Sequence, residues 1–257
     1  MARAPMTMSI WATEWLRLWR TRRLVALIGV FLFFGFLGPV FARYMQDILS
    51  SASNTSQMQI IVAAPQPVDG IVGYTGNALQ IGLMIGIAIT VSACAIDANY
   101  ALAIFYRTRE RRMTTLLVPR FVVSLGATLV AFTLGLAAAW YETAVLIGAV
   151  DPGGLWRVWV TGALYTSAFL SLAFLLTSVL RSVGVATTVA IVLVLVSTIL
   201  TTWPSIVRWS PVAFGDQKSV YMGDASLWRP ALASLAISLV AVAVGLYRGQ
   251  HRQLTRS

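Results

Sequence analysis

Charge is scarce in this sequence, and so are the side chains that most enzymes use for catalysis. Only 11% of the 257 residues are charged and 58% are hydrophobic, whereas a soluble domain has about 25% charged residues. The chain has one histidine (His251), one cysteine (Cys94) and one lysine (Lys218). A soluble globular fold is excluded, because a chain of this size could not hide so much apolar surface from water.

These absences also exclude several kinds of site. One cysteine cannot form a disulfide within the chain or a thiolate metal site, so Cys94 is expected to be a small packing residue. His251 lies in the C-terminal tail, which excludes an intramembrane Ser/His dyad and a histidine metal site. No G-x-x-x-x-G-K-[ST] motif is present, so the chain has no P-loop of its own. No catalytic, cofactor-binding or metal-binding residue is predicted, and the chain is expected not to be an enzyme.

Long uncharged apolar runs are what the sequence has instead. A run of about 20 apolar residues matches the ~30 Å hydrocarbon core of a bilayer. Helices are expected because no lipid-facing backbone group can stay unpaired. We predict an all-α polytopic membrane protein with a single transmembrane domain over residues 1–257, and Asp151 in a turn between the third and fourth spans. The predicted spans cover about residues 24–42, 78–98, 119–145, 158–180, 182–203 and 229–247.

The basic residues predict the orientation of these spans. Fourteen of the 19 Lys and Arg residues fall before the first span, in the second and fourth connections and in the C-terminal tail. The positive-inside bias therefore places both termini in the cytoplasm. A net charge of +10 also suggests nucleic acid as a partner. The basic residues lie at the ends of apolar runs, however, and this position favours membrane lipids as the partner. The arginine-rich composition points to a bacterial inner membrane.

A helix lying on the membrane surface is predicted before the first span, at residues 8–23. Trp11, Trp15, Leu18 and Trp19 recur at helical spacing, while Glu14, Arg17 and Arg20 face elsewhere. Such a pattern is typical of an interfacial amphipathic helix, with its indoles at headgroup level. A plain anchor for the first span is an equally good interpretation.

A charged segment interrupts the apolar sequence at residues 105–120, FYRTRERRMTTLLVPR, which we call the arginine-rich segment. It carries five arginines and one glutamate, and Pro119 is expected to break the backbone just before the third span. One interpretation is a topology anchor on anionic lipid. The other is a short helix that docks into a groove of a soluble partner. The candidate contact residues are Tyr106, Arg107, Arg109, Glu110, Arg111 and Arg112.

Two further features lie toward the outer side of the predicted topology. Glu142 comes late in the third span, where a carboxylate is costly unless it reaches water or a partner. A cavity or gating role and snorkelling to the interface both fit it. Trp203, Trp209 and Phe214 belong to an aromatic, proline-containing stretch after the fifth span. This stretch is interpreted either as a partly embedded segment or as a surface loop.

Three stretches resemble the ABC-2 type permeases of ABC transporters. ERRMTTLLVPR (residues 110–120) is similar to the E-x-G-T-x-x-x-L-L-x-x-P-x-x-R region that follows the second span in that family. EWLRLWRTRRLVALIGVFLFFGFLGPVFARY (residues 14–44) resembles its amphipathic entry helix, arginine-rich elbow and first span, including a proline at Pro39. ALQIGLMIGIAI (residues 78–89) resembles the start of its second span. Arg111, Arg112 and Met113 stand where the family pattern has a small glycine.

The resemblance implies a mechanism and partners. The chain would be the membrane subunit of an ATP-driven exporter of type V-like architecture, working with a second permease, identical or paralogous. Two ATPase subunits, which would hold ATP and Mg²⁺, would dock on a coupling helix at residues 107–113. The stretch at residues 203–221 would form an outer gate, which gives Trp203, Trp209 and Phe214 their candidate role. The implied cargo is an amphipathic drug, a lipid or a peptide.

Two other function classes stay open. A non-transporting membrane anchor or sensor subunit would have the same spans and the same charged segment. A lipid-modifying membrane enzyme would need clustered acids or a histidine at the bilayer edge, and neither pattern is present. Few charges lie within the spans, which argues against a carrier coupled to protons or sodium, because such carriers need buried ionisable relays.

Overall fold

The computed structural model describes residues 9–53, 64–96, 104, 108, 113–180, 182–203, 207–223 and 226–251. Every regular element in these ranges is helical. In chain order they are α1 (Ile10–Arg20), α2 (Arg23–Ser53), α3 (Pro67–Cys94), α4 (Thr114–Leu146), α5 (Pro152–Val179), α6 (Val183–Leu200), a 3₁₀ turn (Pro211–Gly215), α7 (Gln217–Met222) and α8 (Trp228–His251).

Six helices in the described ranges are long and apolar enough to cross a membrane, namely α2 (over Arg23–Met45), α3, α4, α5, α6 and α8. The prediction of an all-helical chain with six candidate spans is therefore confirmed. These helices define two ends of a bundle. We call the end that carries α1 the N-terminal end, and the end that carries α7 the opposite end.

Helix starts lie earlier than the hydropathy predicts, because polar residues cap them. α3 starts at Pro67, a favoured first helical position, and the Asp69 carboxylate accepts the Gln66 N–H at 3.0 Å. Asp151 is not only a turn residue: its carboxylate accepts the backbone N–H groups of Gly153 and Gly154 and caps α5.

Pro119 does not break the backbone before the third span, as the sequence pattern predicts. It lies inside α4, which already begins at Thr114. Pro119 is the sixth residue of α4, so the helix lacks the hydrogen bond that an N–H at this position would donate to the carbonyl oxygen of Thr115, yet it continues through the proline. The third span is consequently continuous with the end of the arginine-rich segment.

Glycines let α2 approach its neighbours closely. A Cβ added at Gly35 would lie 2.5 Å from the carbonyl oxygen of Gly135 in α4, and one at Gly38 would lie 2.5 Å from the backbone nitrogen of Tyr74 in α3. Close backbone approach through small residues is the usual way in which membrane helices gain packing energy. α2, α3 and α4 thus form the tightly packed part of the bundle.

An aromatic cluster fills the space between these three helices. The ring of Phe132 lies edge-on to Phe31 at a centroid distance of 6.3 Å and stacks on Tyr74 at 5.9 Å. The hydroxyl of Tyr74 donates to the carbonyl oxygen of Phe132 at 2.6 Å. All three side chains are buried, so the one polar atom of the cluster is paired inside the protein, as a low-dielectric interior requires.

The segment after α6 folds back onto the opposite end of the bundle. Phe214 and Val220 are fully buried, and Tyr221 packs over Gly154 at the start of α5. The hydroxyl of Tyr221 accepts the N–H of Asp151 at 2.9 Å. The left-handed Gly223 then ends α7. The 3₁₀ turn and α7 are therefore fixed to α5 and are not a free loop.

Candidate functional site

Buried charges meet at the N-terminal end of the bundle, where Glu14 of α1 and Arg120 of α4 are each 7% exposed. The Nε of Arg120 donates to Oε1 of Glu14 at 2.9 Å. Its Nη1 donates to the carbonyl oxygen of Ala93, near the end of α3, at 3.3 Å. One guanidinium group therefore joins α1, α3 and α4, and we call this contact the α1 clasp.

Arg17 completes the α1 clasp on its solvent side. Its Nη1 lies 3.2 Å from Oε2 of Glu14, so each carboxylate oxygen faces a different guanidinium group. Burial lowers the pKa of Arg17 below its ordinary value, and the charge of Glu14 opposes this shift. Arginine ordinarily stays protonated at neutral pH, so Arg17 remains a cationic partner of the Glu14 carboxylate.

A sharp elbow brings α1 back against the bundle. Arg22, between α1 and α2, has φ of 56°, in the left-handed region that a side chain rarely adopts. The next residue, Arg23, donates from Nη1 to the hydroxyl of Ser92 in α3 at 2.8 Å. A strained residue persists only where its surroundings determine it. Here the surroundings are the Arg23–Ser92 hydrogen bond and the α1 clasp.

The predicted faces of α1 are oriented by this elbow. Trp11, Trp15 and Trp19 are exposed by 45–60%, while Glu14 and Leu18 are buried against the bundle. The prediction that Leu18 lies on the tryptophan face is wrong, because Leu18 is buried together with Glu14. The inward role of the Glu14 carboxylate was not predicted. The available signal was the spacing of Glu14 and Leu18, which puts an acid on the same face as a core leucine.

Most of the arginine-rich segment cannot be placed in the site. The candidate contact residues Tyr106, Arg107, Arg109, Glu110, Arg111 and Arg112 lie outside the described residues. Within the segment the structure describes Thr108, whose hydroxyl donates to the carbonyl oxygen of Ile104 at 3.0 Å, and residues 113–120. The i to i−4 spacing of that hydrogen bond is the spacing of an α-helix. The segment ends at Arg120, inside the α1 clasp.

The residues proposed for a cavity or gate are not brought together. Glu142 is half-buried near the end of α4, and no hydrogen bond or ion pair of the described residues joins it to Trp203, Trp209 or Phe214. Trp203 and Trp209 are 53% and 59% exposed, whereas Phe214 is fully buried. The guanidinium of Arg229 lies 4.9 Å from the ring centroid of Trp209, a cation–π arrangement.

Comparison with known proteins does not identify a family for this chain. No protein-family model matches the chain, and no curated protein matches it at a significant level. Functional inference therefore depends on three observations: the six candidate spans, the position of α1, and the chemistry of the residues that hold α1 in place.

Proposed function

We propose that this chain is the membrane-spanning permease subunit of an ATP-binding-cassette exporter of the ABC-2 type. In this proposal a separate ATPase subunit hydrolyses ATP, and the chain moves an amphipathic or lipid-like substrate outward. The sequence resemblance motivates the proposal, and the six candidate spans support its membrane component. The chain has no P-loop of its own, so movement driven by ATP requires a partner.

The α1 clasp is the observation that carries the proposal furthest. The resemblance assigns two elements to the ATPase side of the membrane, the entry helix and the arginine-rich segment. The structure joins α1 to Arg120, the last residue of that segment, through a buried ion pair at 2.9 Å. The N-terminal end of the bundle therefore carries both α1 and the last residue of the arginine-rich segment, which supports the proposal that both elements dock to one soluble partner.

The buried ion pair between Glu14 and Arg120 would couple the movements of the helices that it joins. Separating Glu14 from Arg120 inside the protein would leave uncompensated buried charges, a situation that costs about 3–5 kcal/mol when one partner is removed. We propose that the two side chains stay together while the chain changes conformation. A displacement of the arginine-rich segment by an ATPase would pass through the Arg120 guanidinium to α1, and through Ala93 to α3. We propose that these three helices move as a rigid unit during alternation between inward-open and outward-open states.

The membrane position of the chain follows from the same proposal. The N-terminal end would face the cytoplasm of a bacterial cell, in agreement with the positive-inside bias. The exposed rings of Trp11, Trp15 and Trp19 would lie at headgroup level, as expected for an interfacial helix. A second permease, identical or paralogous, would cover part of the exposed apolar surface of the spans, and lipid would cover the rest.

Reconstitution tests the proposed function. The purified chain is placed in liposomes with a candidate ATP-binding-cassette ATPase subunit that co-purifies with it, and the movement of a fluorescent amphipathic substrate is followed. We expect transport that depends on ATP and stops when the Walker lysine of the ATPase is replaced. Full transport with that lysine replaced, or none with an active ATPase bound, would contradict the proposal.

The arginine-rich segment provides a specific variant. Replacing Arg109, Glu110 and Arg112 by alanine should lower ATP-dependent transport at least tenfold while the chain still inserts, because these charges form the proposed docking surface. The measurement is transport together with co-purification of the ATPase.

A matched control removes charge from the same predicted side of the membrane without changing the proposed docking surface. Arg252→Ala combined with Arg256→Ala changes the C-terminal tail, and we expect transport close to that of the unchanged chain. The docking role is wrong if the triple variant retains both normal transport and normal yield of the bound ATPase.

A further inference from the structure

A polar recess lies between α3, α5, α6 and α7 in the half of the bundle opposite to the α1 clasp. Its volume is about 360 Å³. None of the described residues that line it is charged. Its polar side chains are Thr75, Asn77, Gln80, Tyr165, Thr198 and Gln217.

Gln217 supplies a buried acceptor without a partner. The residue is 2% exposed, and its Nε2 donates to the carbonyl oxygen of Phe214. Its Oε1 has no hydrogen-bond partner within the described part of the chain. Buried amide oxygens are nearly always paired, because desolvating an unpaired one is destabilising. Gln217 also lines the recess, so a hydroxyl that enters it would supply the missing donor.

Two more acceptors point to the same chemistry. The Nδ2 of Asn77 donates to the carbonyl oxygen of Gly73 at 2.9 Å, which leaves Oδ1 of Asn77 for another donor. The hydroxyl of Ser197 donates to the carbonyl oxygen of Val194. Its single proton is thereby used, so in the 2.8 Å contact between Tyr165 and Ser197 Tyr165 is the donor. The phenolic oxygen of Tyr165 then keeps its acceptor capacity.

The backbone of α3 changes its winding beside the recess. Residues Ala78–Gly82 form a π-helical turn within the span, and such turns are rare and occur frequently at functional sites. Gln80 lies in this turn, half-buried, and lines the recess. Its side-chain amide offers both a donor and an acceptor. The π-helical turn thus adds a side-chain amide that makes no hydrogen bond to the described residues, in a lining that is otherwise rich in acceptors.

We infer that this recess binds an uncharged group rich in hydroxyls, of the kind a glycoside or a glycolipid headgroup carries. Acceptors on Gln217, Asn77 and Tyr165 need donors, which hydroxyls supply. A charged group is disfavoured because no lining side chain has an opposite charge to offset its desolvation. As a cargo site this assignment depends on the proposed function, whereas binding itself does not.

Binding is tested on the purified full-length chain in lipid nanodiscs, without any ATPase. Cys94 is replaced by alanine, and Thr198→Cys, at the exposed rim of the recess, provides a single reporter thiol. The rate of alkylation by N-ethylmaleimide is measured with n-octyl β-D-glucoside below its micellar concentration. A matched reporter, Val192→Cys, lies exposed on the same helix but does not line the recess.

Saturable protection of Thr198→Cys by octyl glucoside, at least fivefold, with no protection of Val192→Cys, is the expected result. Octan-1-ol, which has the same chain without the sugar, should not protect. Gln80→Leu and Gln217→Leu should each raise the half-protecting concentration about five- to tenfold, the size of one neutral hydrogen bond. Because Gln80 makes no structural hydrogen bond to the described residues, its variant remains informative if Gln217→Leu does not fold.

Three outcomes would overturn the inference. Equal protection by octan-1-ol would show that the recess accepts only an alkyl chain. Stronger protection by octyltrimethylammonium would show a cation site built from carbonyl oxygens. Absence of protection by octyl glucoside would show that the recess does not bind sugars. None of these outcomes bears on ATP-dependent transport, so the two proposals fail separately.

Discussion

Removing the carboxylate of the α1 clasp is the most informative single change. Glu14→Leu keeps the side-chain volume roughly unchanged and does not lower helix propensity, but it removes the carboxylate that contacts the buried guanidinium of Arg120. Loss of one partner of a buried pair costs about 3–5 kcal/mol. Arg120 keeps its hydrogen bond to Ala93 and Arg17 can turn toward solvent, so we expect a cost near the lower figure, about 3 kcal/mol.

Cys94 is a natural reporter of this change. It is the only cysteine in the sequence, it is 3% exposed, and it follows Ala93, which accepts a hydrogen bond from Arg120. When opening is fast relative to labelling, the rate of reaction with a thiol-reactive dye follows the opening equilibrium. A cost of about 3 kcal/mol corresponds to a labelling rate about 150-fold faster, measured on the purified chain in detergent.

The matched control is an exposed ion pair at the opposite end of the bundle. Lys218 lies 3.4 Å from Asp69, with 58% and 38% of the two side chains exposed. Exposed pairs contribute about 0–1 kcal/mol, so Lys218→Met should change Cys94 labelling by less than about fivefold. If Glu14→Leu labels no faster than this control, the reasoning about the α1 clasp is refuted.

Two other predictions test packing and topology. Gly135→Ala should destabilise the chain by about 1–3 kcal/mol in thermal unfolding, because the new Cβ would lie 2.6 Å from the carbonyl oxygen of Phe31. The control Gly126→Ala should not destabilise the chain, because no atom lies within 4 Å of the added Cβ. Equal effects of the two substitutions would contradict the packing argument. In intact cells that express the Cys94→Ala chain, a cysteine that replaces Asp216 should react with a membrane-impermeant maleimide added outside, whereas a cysteine that replaces Thr108 should not. The reverse labelling would overturn the predicted orientation.

The coarse architecture could be predicted from the sequence because it depends on local composition. An uncharged run of about 20 residues has few alternatives to a spanning helix. The start of α3 was missed because Pro67 and Asp69 look like loop residues to a hydropathy window, although they are good helix starters. The helical extension through Pro119 was missed because proline is usually a helix-breaking signal, whereas α4 accommodates this one as its sixth residue.

The α1 clasp could not be predicted, because it is a long-range contact. Glu14 and Arg120 are 106 positions apart in the sequence, so the spacing of Glu14 and Leu18 can indicate the inward face of α1 but not the residue that pairs with the acid. Phe214 illustrates the same limit: the aromatic stretch after α6 was noticed, but only the fold separates its buried phenylalanine from the exposed Trp203 and Trp209. Pairing between distant elements is a property of the packed chain.

Photo-crosslinking from the arginine-rich segment tests the central claim most directly. A photoreactive amino acid at Arg109 is activated in intact cells, and the captured partner is identified by mass spectrometry. The account predicts a crosslink to an ATP-binding-cassette ATPase subunit, weakened in Glu14→Leu because the α1 clasp no longer positions the segment. Crosslinks to lipid alone, or to a protein that does not bind nucleotide, would contradict the account.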